Sequence, residues 1–249
     1  MGDIVDIRLW QGDCLDLMDK IEDKSINLIL CDLPFGTTAC KWDKTIPFEF
    51  MWEQYNRIIK DDGVIALFGS EPFSSLLRCS NLKMYKYDWI WKKNKSSNFV
   101  NAKYQPLKNY ETISIFSKMA STYSKKGNMK YVPQGIVELN IPKTQTRKGT
   151  KTGEIYHSNP NVETIQKFGN YPTCMIELPM VNKPVHPTQK PVALLEYLIK
   201  TYTDENDLVL DNCMGSGSTG VACKNLNRNF VGIELDERYF KIAESRMAI

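Results

Sequence analysis

Short runs of apolar, β-branched and aromatic residues recur along the chain, separated by segments with helical spacing, and this alternation marks a largely parallel sheet. Strands are expected at Ile7–Trp10, Ile26–Cys31, Val64–Phe68, Tyr87–Trp91, Thr112–Phe116, Leu208–Leu210 and Phe230–Ile233. Between them Leu15, Met18 and Ile21 fall on one helical face, and Phe50, Met51, Trp52, Tyr55, Ile58 and Ile59 on another. A helix is expected to begin near Glu71-Pro72, because proline is tolerated in a first turn. Two more should span Val192 to Tyr202 and Glu237 to Met247. No helical spacing separates Tyr87–Trp91 from Thr112–Phe116, so that pair should be antiparallel and joined by a basic loop. The expected fold is α/β, a mostly parallel, seven-stranded doubly wound sheet with one reversed strand.

From Lys118 to about Lys183 the pattern dissolves into Ser, Thr, Lys, Asn, Gly and Pro. That composition permits a disordered linker. Tyr131, Ile136, Val137, Leu139, Ile141, Ile155, Tyr156, Ile165, Phe168 and Tyr171 favour an irregular small lobe instead. The expected division is therefore one domain from 1–117 and 184–249, with an insertion at 118–183. Length supports it, since 249 residues suffice for one α/β domain plus an insertion. Net charge is only +3, but between Lys118 and Lys151 there are eight Lys/Arg and one acid, Glu138. Seven cysteines without C-x-x-C spacing and two histidines, His157 and His186, offer no zinc set, so no metal is expected. The cysteines read as buried thiols in a reducing compartment. With no apolar run of signal or membrane length, a soluble cytoplasmic protein is expected.

Chemistry concentrates in three motifs. In Asp211-Asn212-Cys213-Met214-Gly215-Ser216-Gly217-Ser218-Thr219-Gly220, the glycines let the backbone approach a ligand before a helix whose free amides attract polar atoms. With Glu234 after the next strand to accept ribose hydroxyls, the turn suits an adenosine cofactor, and alone it also satisfies the dinucleotide fingerprint of an NAD(P) enzyme. Only twenty-nine residues follow Gly220, so the rest of the sheet must come from upstream. The second motif, Asp32-Leu33-Pro34-Phe35, follows a wholly apolar strand and should sit at the carboxyl edge of the sheet. A carboxylate and a neighbouring carbonyl there can accept both N–H bonds of an exocyclic amino group, while Pro34 stiffens the loop and Phe35 offers a ring for stacking. The third, His186-Pro187-Thr188-Gln189-Lys190-Pro191, opens an apolar helix.

Read as a circle, with the tail running into the N-terminus, this order resembles the permuted (beta-class) S-adenosylmethionine-dependent amino-methyltransferases of DNA, over residues 7–117 and 184–247. The resemblance implies S-adenosylmethionine as cofactor and double-stranded DNA as substrate, and it makes the insertion a target-recognition element. It implies adenine N6 methylation with the target base flipped out, and admits cytosine N4 methylation, which the family more often associates with Ser at position 32. Asp32, Leu33, Pro34 and Phe35 would be catalytic. Asp13, Asp32, His186, Thr188, Gln189, Lys190, Asp211, Gly215, Ser216, Gly217, Ser218, Thr219 and Glu234 would hold the cofactor, with Asp13 also suited to cap a helix. Glu111 resembles a family position near the target base. Leu33 stands where proline is usual, Phe35 where tyrosine is commoner, and Asn212-Cys213 where Pro-Phe is frequent. Leu33 and Asn212-Cys213 keep open a DNA-binding protein with a decayed site, whereas Phe35 loses only a hydroxyl.

Lys92, Lys93, Lys95 and Lys103 on the loop between the antiparallel strands, and Lys143, Arg147, Lys148 and Lys151 in the insertion, are the candidate phosphate anchors. A homodimer and a cognate restriction endonuclease are further partners that the family admits.

Overall fold

The computed structural model describes residues 5–36, 44–146 and 163–247. In chain order its elements are β1 (Ile7–Gln11), α1 (Cys14–Met18), β2 (Ile26–Cys31), α2 (Phe48–Ile58), β3 (Ile59–Gly69), α3 (Phe73–Ser80), β4 (Tyr85–Ser97) and β5 (Lys108–Phe116). There follow β6 (Val137–Thr146), β7 (Glu163–Gly169), β8 (Met175–Glu177), α4 (Val192–Tyr202), β9 (Leu208–Asp211), α5 (Ser218–Asn225), β10 (Asn229–Glu234) and α6 (Glu237–Met247). One eight-stranded sheet runs β1-β10-β9-β2-β3-β5-β4-β8, and only β5 is antiparallel to its neighbours.

All seven expected strands are present, and the antiparallel β4–β5 pair forms as its loop implied. The eighth strand is the difference. Met175–Glu177 lies in the stretch expected to be irregular, but it pairs parallel to β4 through Ile90↔Met175 and Lys92↔Glu177. Three residues carry too short a hydrophobic pattern to betray a strand, and only the free edge of β4 gives it a partner. The first and last strands meet as a circular reading requires, with Ile7↔Phe230 through Gln11↔Glu234 in parallel register.

Strand alternation divides the core in two. Leu28 and Leu30 of β2 point into a cluster with Leu194, Leu195 and Leu198 of α4, Ala222 of α5 and Met247 of α6. Ile29 and Cys31 point the other way, against Met18 of α1, Met51, Trp52, Tyr55 and Ile58 of α2, and Leu77 of α3. A central strand covered on both faces must be apolar throughout, which is why Leu28–Cys31 shows no polar alternation. On α2 the apolar face is narrower than expected, because Phe50 lies exposed and Ile59 begins β3. Cys79 and Cys174 are exposed rather than buried.

The chain forms two compact units, Met1–Val132 with Cys174–Ile249, and Pro133–Thr173. The insertion drawn at 118–183 is thus wider than the second unit: Met129 and Ile176 are buried in the core of the first. The second unit contains a two-stranded antiparallel ladder of β6 and β7, from Val137↔Gly169 to Thr146↔Glu163. Among the described residues no helix is long and apolar enough to cross a membrane.

Gly217 shows how tightly the last helix fits the nucleotide turn. Its φ is +75°, and a Cβ there would lie 2.7 Å from Met247 Cε and 2.9 Å from Ala243 Cβ. The glycine is therefore demanded by α6 packing as well as by backbone conformation. Gly217→Ala should lower the unfolding free energy by about 1–3 kcal/mol, as overpacking does. Urea denaturation with an unchanged midpoint would show that α6 gives way without cost.

Candidate active site

Chain direction from β2 leads to β3 on one side, while β9 leads to β10 on the other, so the gap between β9 and β2 is the topological switch point of the sheet. A cavity of about 360 Å³ opens there, within the size range of small-molecule sites. Four acids line it, each at the carboxyl end of a parallel strand: Asp13 after β1, Glu234 closing β10, Asp211 closing β9 and Asp32 after β2. Parallel register alone lines these ends up.

The turn after β9 is held from every side. Asp211 Oδ2 accepts from Thr219 Oγ1 at 2.6 Å and its Oδ1 from the Cys213 amide at 3.2 Å. Burial pushes its carboxyl up to about 6, against the opposing pull of those donors. Asn212 Oδ1 accepts from the buried Tyr55 hydroxyl at 2.6 Å, so the departure from Pro-Phe ties this turn to α2. Gly215 has φ +51°, and its amide donates to Glu234 Oε2 at 2.8 Å while the Asp236 amide donates to Oε1 at 2.8 Å. Each Glu234 oxygen keeps a further lone pair for a ribose hydroxyl. Arg246 Nη1, from the final helix, donates to Ser216 O at 2.5 Å and to the Ser216 and Ser218 hydroxyls at 3.0 Å. No local sequence signal marked Arg246, because its role exists only once α6 packs on the turn. Asp13 Oδ1 caps α1 by accepting from the Leu15 amide at 2.8 Å, and the residue still lines the cavity.

The His186 segment is built as a turn. His186 Nδ1 accepts from the Thr188 amide at 3.2 Å and lies 3.1 Å from its hydroxyl, and Gln189 Oε1 accepts from the Val185 amide at 2.8 Å. The imidazole packs edge-on against Tyr239 with ring centroids 4.1 Å apart. Burial first, then the Lys190 ammonium, push its pKa down to about 4, so the ring is neutral near pH 7 and unsuited to hold a proton there.

Lys190 lines the cavity and is also tied into an ion-pair chain. Its Nζ sits 2.5 Å from Asp32 Oδ2, 3.3 Å from Glu111 Oε2 and 5.0 Å from the Phe68 ring centroid. Lys93 likewise lies 2.5 Å from Glu111 Oε1 and 4.9 Å from the Trp91 ring, so it is already paired in this structure. Two carboxylates and two ammoniums thus form one mostly buried chain, Asp32–Lys190–Glu111–Lys93. Burial pushes the Asp32 carboxyl up and the Lys190 charge pulls it back only in part. Burial also opposes ionisation of Glu111, but Lys190 and Lys93 outweigh it and hold that carboxyl low. Asp32 Oδ1 and Glu111 Oε2 are the two buried side-chain oxygens, among the described residues, that accept no hydrogen bond. Around Asp32, Leu33 is buried in the core, and Phe35 packs on Phe73 with centroids 4.8 Å apart.

Of the remaining basic candidates, Lys92 pairs with Glu177 at 3.0 Å, and Lys95, Lys103 and Lys143 are exposed. Arg147, Lys148 and Lys151 lie outside the described residues. Beside Lys95 and Lys103, the loop from β4 to β5 exposes Phe99 (81%) and Tyr104 (87%), a cost that an ordinary surface loop avoids.

Fold and site together fit a DNA methylase. The chain belongs to the DNA methylase family N6_N4_Mtase, whose profile matches residues 26–245. Type II methyltransferase M2.DpnII of Streptococcus pneumoniae is 52% identical over 266 residues, spanning 96% of this chain and 88% of that one. DNA adenine methyltransferase YhdJ of Escherichia coli (strain K12) is 28% identical over 258 residues, spanning 96% and 81%. The crystal structure of the M1.HpyAVI–SAM complex has the same fold, with a TM-score of 0.63 at 24% identity over 96% of this chain and 99% of that one.

The depressed His186 pKa carries a sign. The unfolded imidazole binds a proton near 6.5 and the folded one near 4, so stability is full above pH 6.5 and is lost as pH falls toward 4. The loss is at most about 3 kcal/mol. Denaturation of the wild type and His186→Gln across pH 4–7 should show that extra slope in the wild type alone. Parallel curves would contradict it.

Proposed function

We propose that this DNA methyltransferase acts on the N6 amino group of adenine. The observation that carries the reading is Asp32 Oδ1, a buried acceptor with no partner, placed at the end of β2 beside the nucleotide turn. A buried carboxylate oxygen left without a donor is costly unless a ligand supplies one. The adenine amino nitrogen is a poor nucleophile because its lone pair is delocalised into the ring. Acceptance of one N–H by Asp32 and the other by the Leu33 carbonyl localises that pair. Phe35, fixed by Phe73, offers the stacking face.

The cavity fits the donor. Glu234 and the Gly215–Ser216 turn would hold its ribose and Asp13 its adenine amino group, with the His186–Gln189 turn at the methionine end. S-adenosylmethionine, when bound, supplies an electrophilic sulfonium methyl. The protein contributes alignment, a dry surround and the carboxylate charge that offsets the cation developing on the amine. That cation sheds its proton readily, so a neutral His186 suffices and no dedicated strong base is required. Support for adenine comes from Asp rather than Ser at position 32 and from the relative named as an adenine methyltransferase. Cytosine N4 is the second reading, because the matched family covers both amino groups.

Incubation of genomic DNA with the protein and methyl-labelled S-adenosylmethionine, followed by nucleoside mass spectrometry, should give labelled N6-methyladenine. Asp32→Ala should give none while still binding the cofactor. Labelled N4-methylcytosine would move the assignment to the other base, and undiminished transfer by Asp32→Ala would remove this residue from the reaction.

Lys95 and Lys103, exposed beside Phe99 and Tyr104, are the phosphate contacts we assign in the first unit. Replacing both with Ala should flatten the plot of log binding constant against log salt by about two units, since each neutralised phosphate contributes about 0.9. Fluorescence anisotropy with an unaltered slope would place the backbone contacts elsewhere.

A further inference from the structure

Lys190 sits between two carboxylates and is shared unequally. Its ammonium is hydrogen-bonded to Asp32 Oδ2 at 2.5 Å, whereas Glu111 Oε2 lies 3.3 Å away without the alignment of a hydrogen bond. Glu111 itself is fixed on its far side by Lys93 at 2.5 Å and by its place in the β4–β5 ladder, opposite Trp91. Its free oxygen therefore faces the ammonium from a rigid support. The side chains are buried to similar extents, Lys190 most of all at 8% exposure, so water offers little competition for these contacts.

In this arrangement the resting enzyme is muted. An ammonium hydrogen-bonded to Asp32 draws charge from the carboxylate that must activate the amino group. It also stands next to the nitrogen that becomes cationic as the methyl arrives. Two like charges about 4 Å apart repel by about 4 kcal/mol at a protein-like dielectric. A shift of the ammonium toward Glu111 relieves both effects, and the distance to cover is short.

Resting on the methyltransferase reading above, we propose that Glu111 is a positioning residue that receives the Lys190 ammonium from Asp32 when the target amino group enters. No covalent bond or proton changes hands: Lys190 stays protonated, Asp32 and Glu111 stay ionised, and only the hydrogen bond moves from Asp32 Oδ2 to Glu111 Oε2. Lys93 keeps the other Glu111 oxygen satisfied throughout, so the receiving carboxylate does not swing away.

Glu111→Gln removes the receiving charge while preserving shape, and it leaves Lys190 with Asp32 alone. Its kcat should fall about tenfold or more, with the dissociation constant for S-adenosylmethionine and the KM for DNA within about twofold. Glu111→Asp, which keeps the charge, should retain more activity than Glu111→Gln. Adding Lys190→Met to Glu111→Gln removes the ammonium from Asp32, so on the pH plateau where Asp32 is ionised the double variant should turn over faster than Glu111→Gln. The acidic limb of its kcat–pH profile should move to higher pH, because a buried Asp32 without its ammonium ionises less readily. A merely structural Glu111 gives additive losses. Wild-type kcat in Glu111→Gln, or a double variant slower than Glu111→Gln, would overturn the hand-over. If Glu111→Gln fails to bind cofactor or melts early, the comparison of Glu111→Asp with Lys190→Met/Glu111→Asp decides: rescue is expected only where the receiving charge is absent, so a faster double variant there overturns the proposal. Absence of methyl transfer by the wild type on the same DNA would instead strike the functional reading itself.

Discussion

Everything at this site depends on keeping the Asp32 carboxylate ionised where water is scarce. Burial of an unpaired carboxylate costs several kcal/mol, so an acid at the end of a central strand needs a cation or takes up a proton. Lys190 supplies the cation from the start of α4, and the Phe68 ring covers its other side. A second carboxylate, Glu111, also faces Lys190, and its charge must be balanced in turn. Glu111 and Lys93 extend the pairing to the β4–β5 ladder, and the four-charge chain is formally neutral.

The rest of the fold brings such groups together without long-range coordination. Parallel strands present their carboxyl ends at one edge, and reversal of strand order between β9 and β2 leaves a gap there. Helices on both faces exclude water from the strands but cannot cover that gap. Acids at successive strand ends, Asp13, Glu234, Asp211 and Asp32, therefore share one cavity. The nucleotide turn is rigid because α6 packs into it through Ala243 and Met247 and because Arg246 holds its carbonyl and hydroxyls.

Much of this was legible in the sequence, for reasons that can be located. Leu28–Cys31 and Phe230–Ile233 are wholly apolar because both faces are covered, and each is followed by an acid that lines the cavity. The Gly215–Gly220 turn shows itself by composition, since left-handed φ at two positions leaves glycine as the low-cost choice. What stayed hidden depends on contacts distant in sequence. Nothing near Lys190 reveals a partner 158 residues away, and Lys93 looks like any other loop lysine until the β4–β5 register sets it against Glu111. Glu111 was visible only as a weak positional resemblance. Met175–Glu177 escaped because a three-residue edge strand has no period to detect. Asn212 stands where the family more often has proline, and its bond from the Tyr55 hydroxyl, 157 residues away, could not be read locally.

The central claim is that the target amino group binds at Asp32 Oδ1 within the β9–β2 crevice. A crystal structure of the protein with an unreactive S-adenosylmethionine analogue and a duplex containing its methylated sequence tests this most directly. The expected result is an extruded adenine whose N6 lies within hydrogen-bonding distance of Asp32 Oδ1 and the Leu33 carbonyl, with its ring against Phe35. An extruded base held away from Asp32, or a target that remains stacked in the duplex, would contradict it.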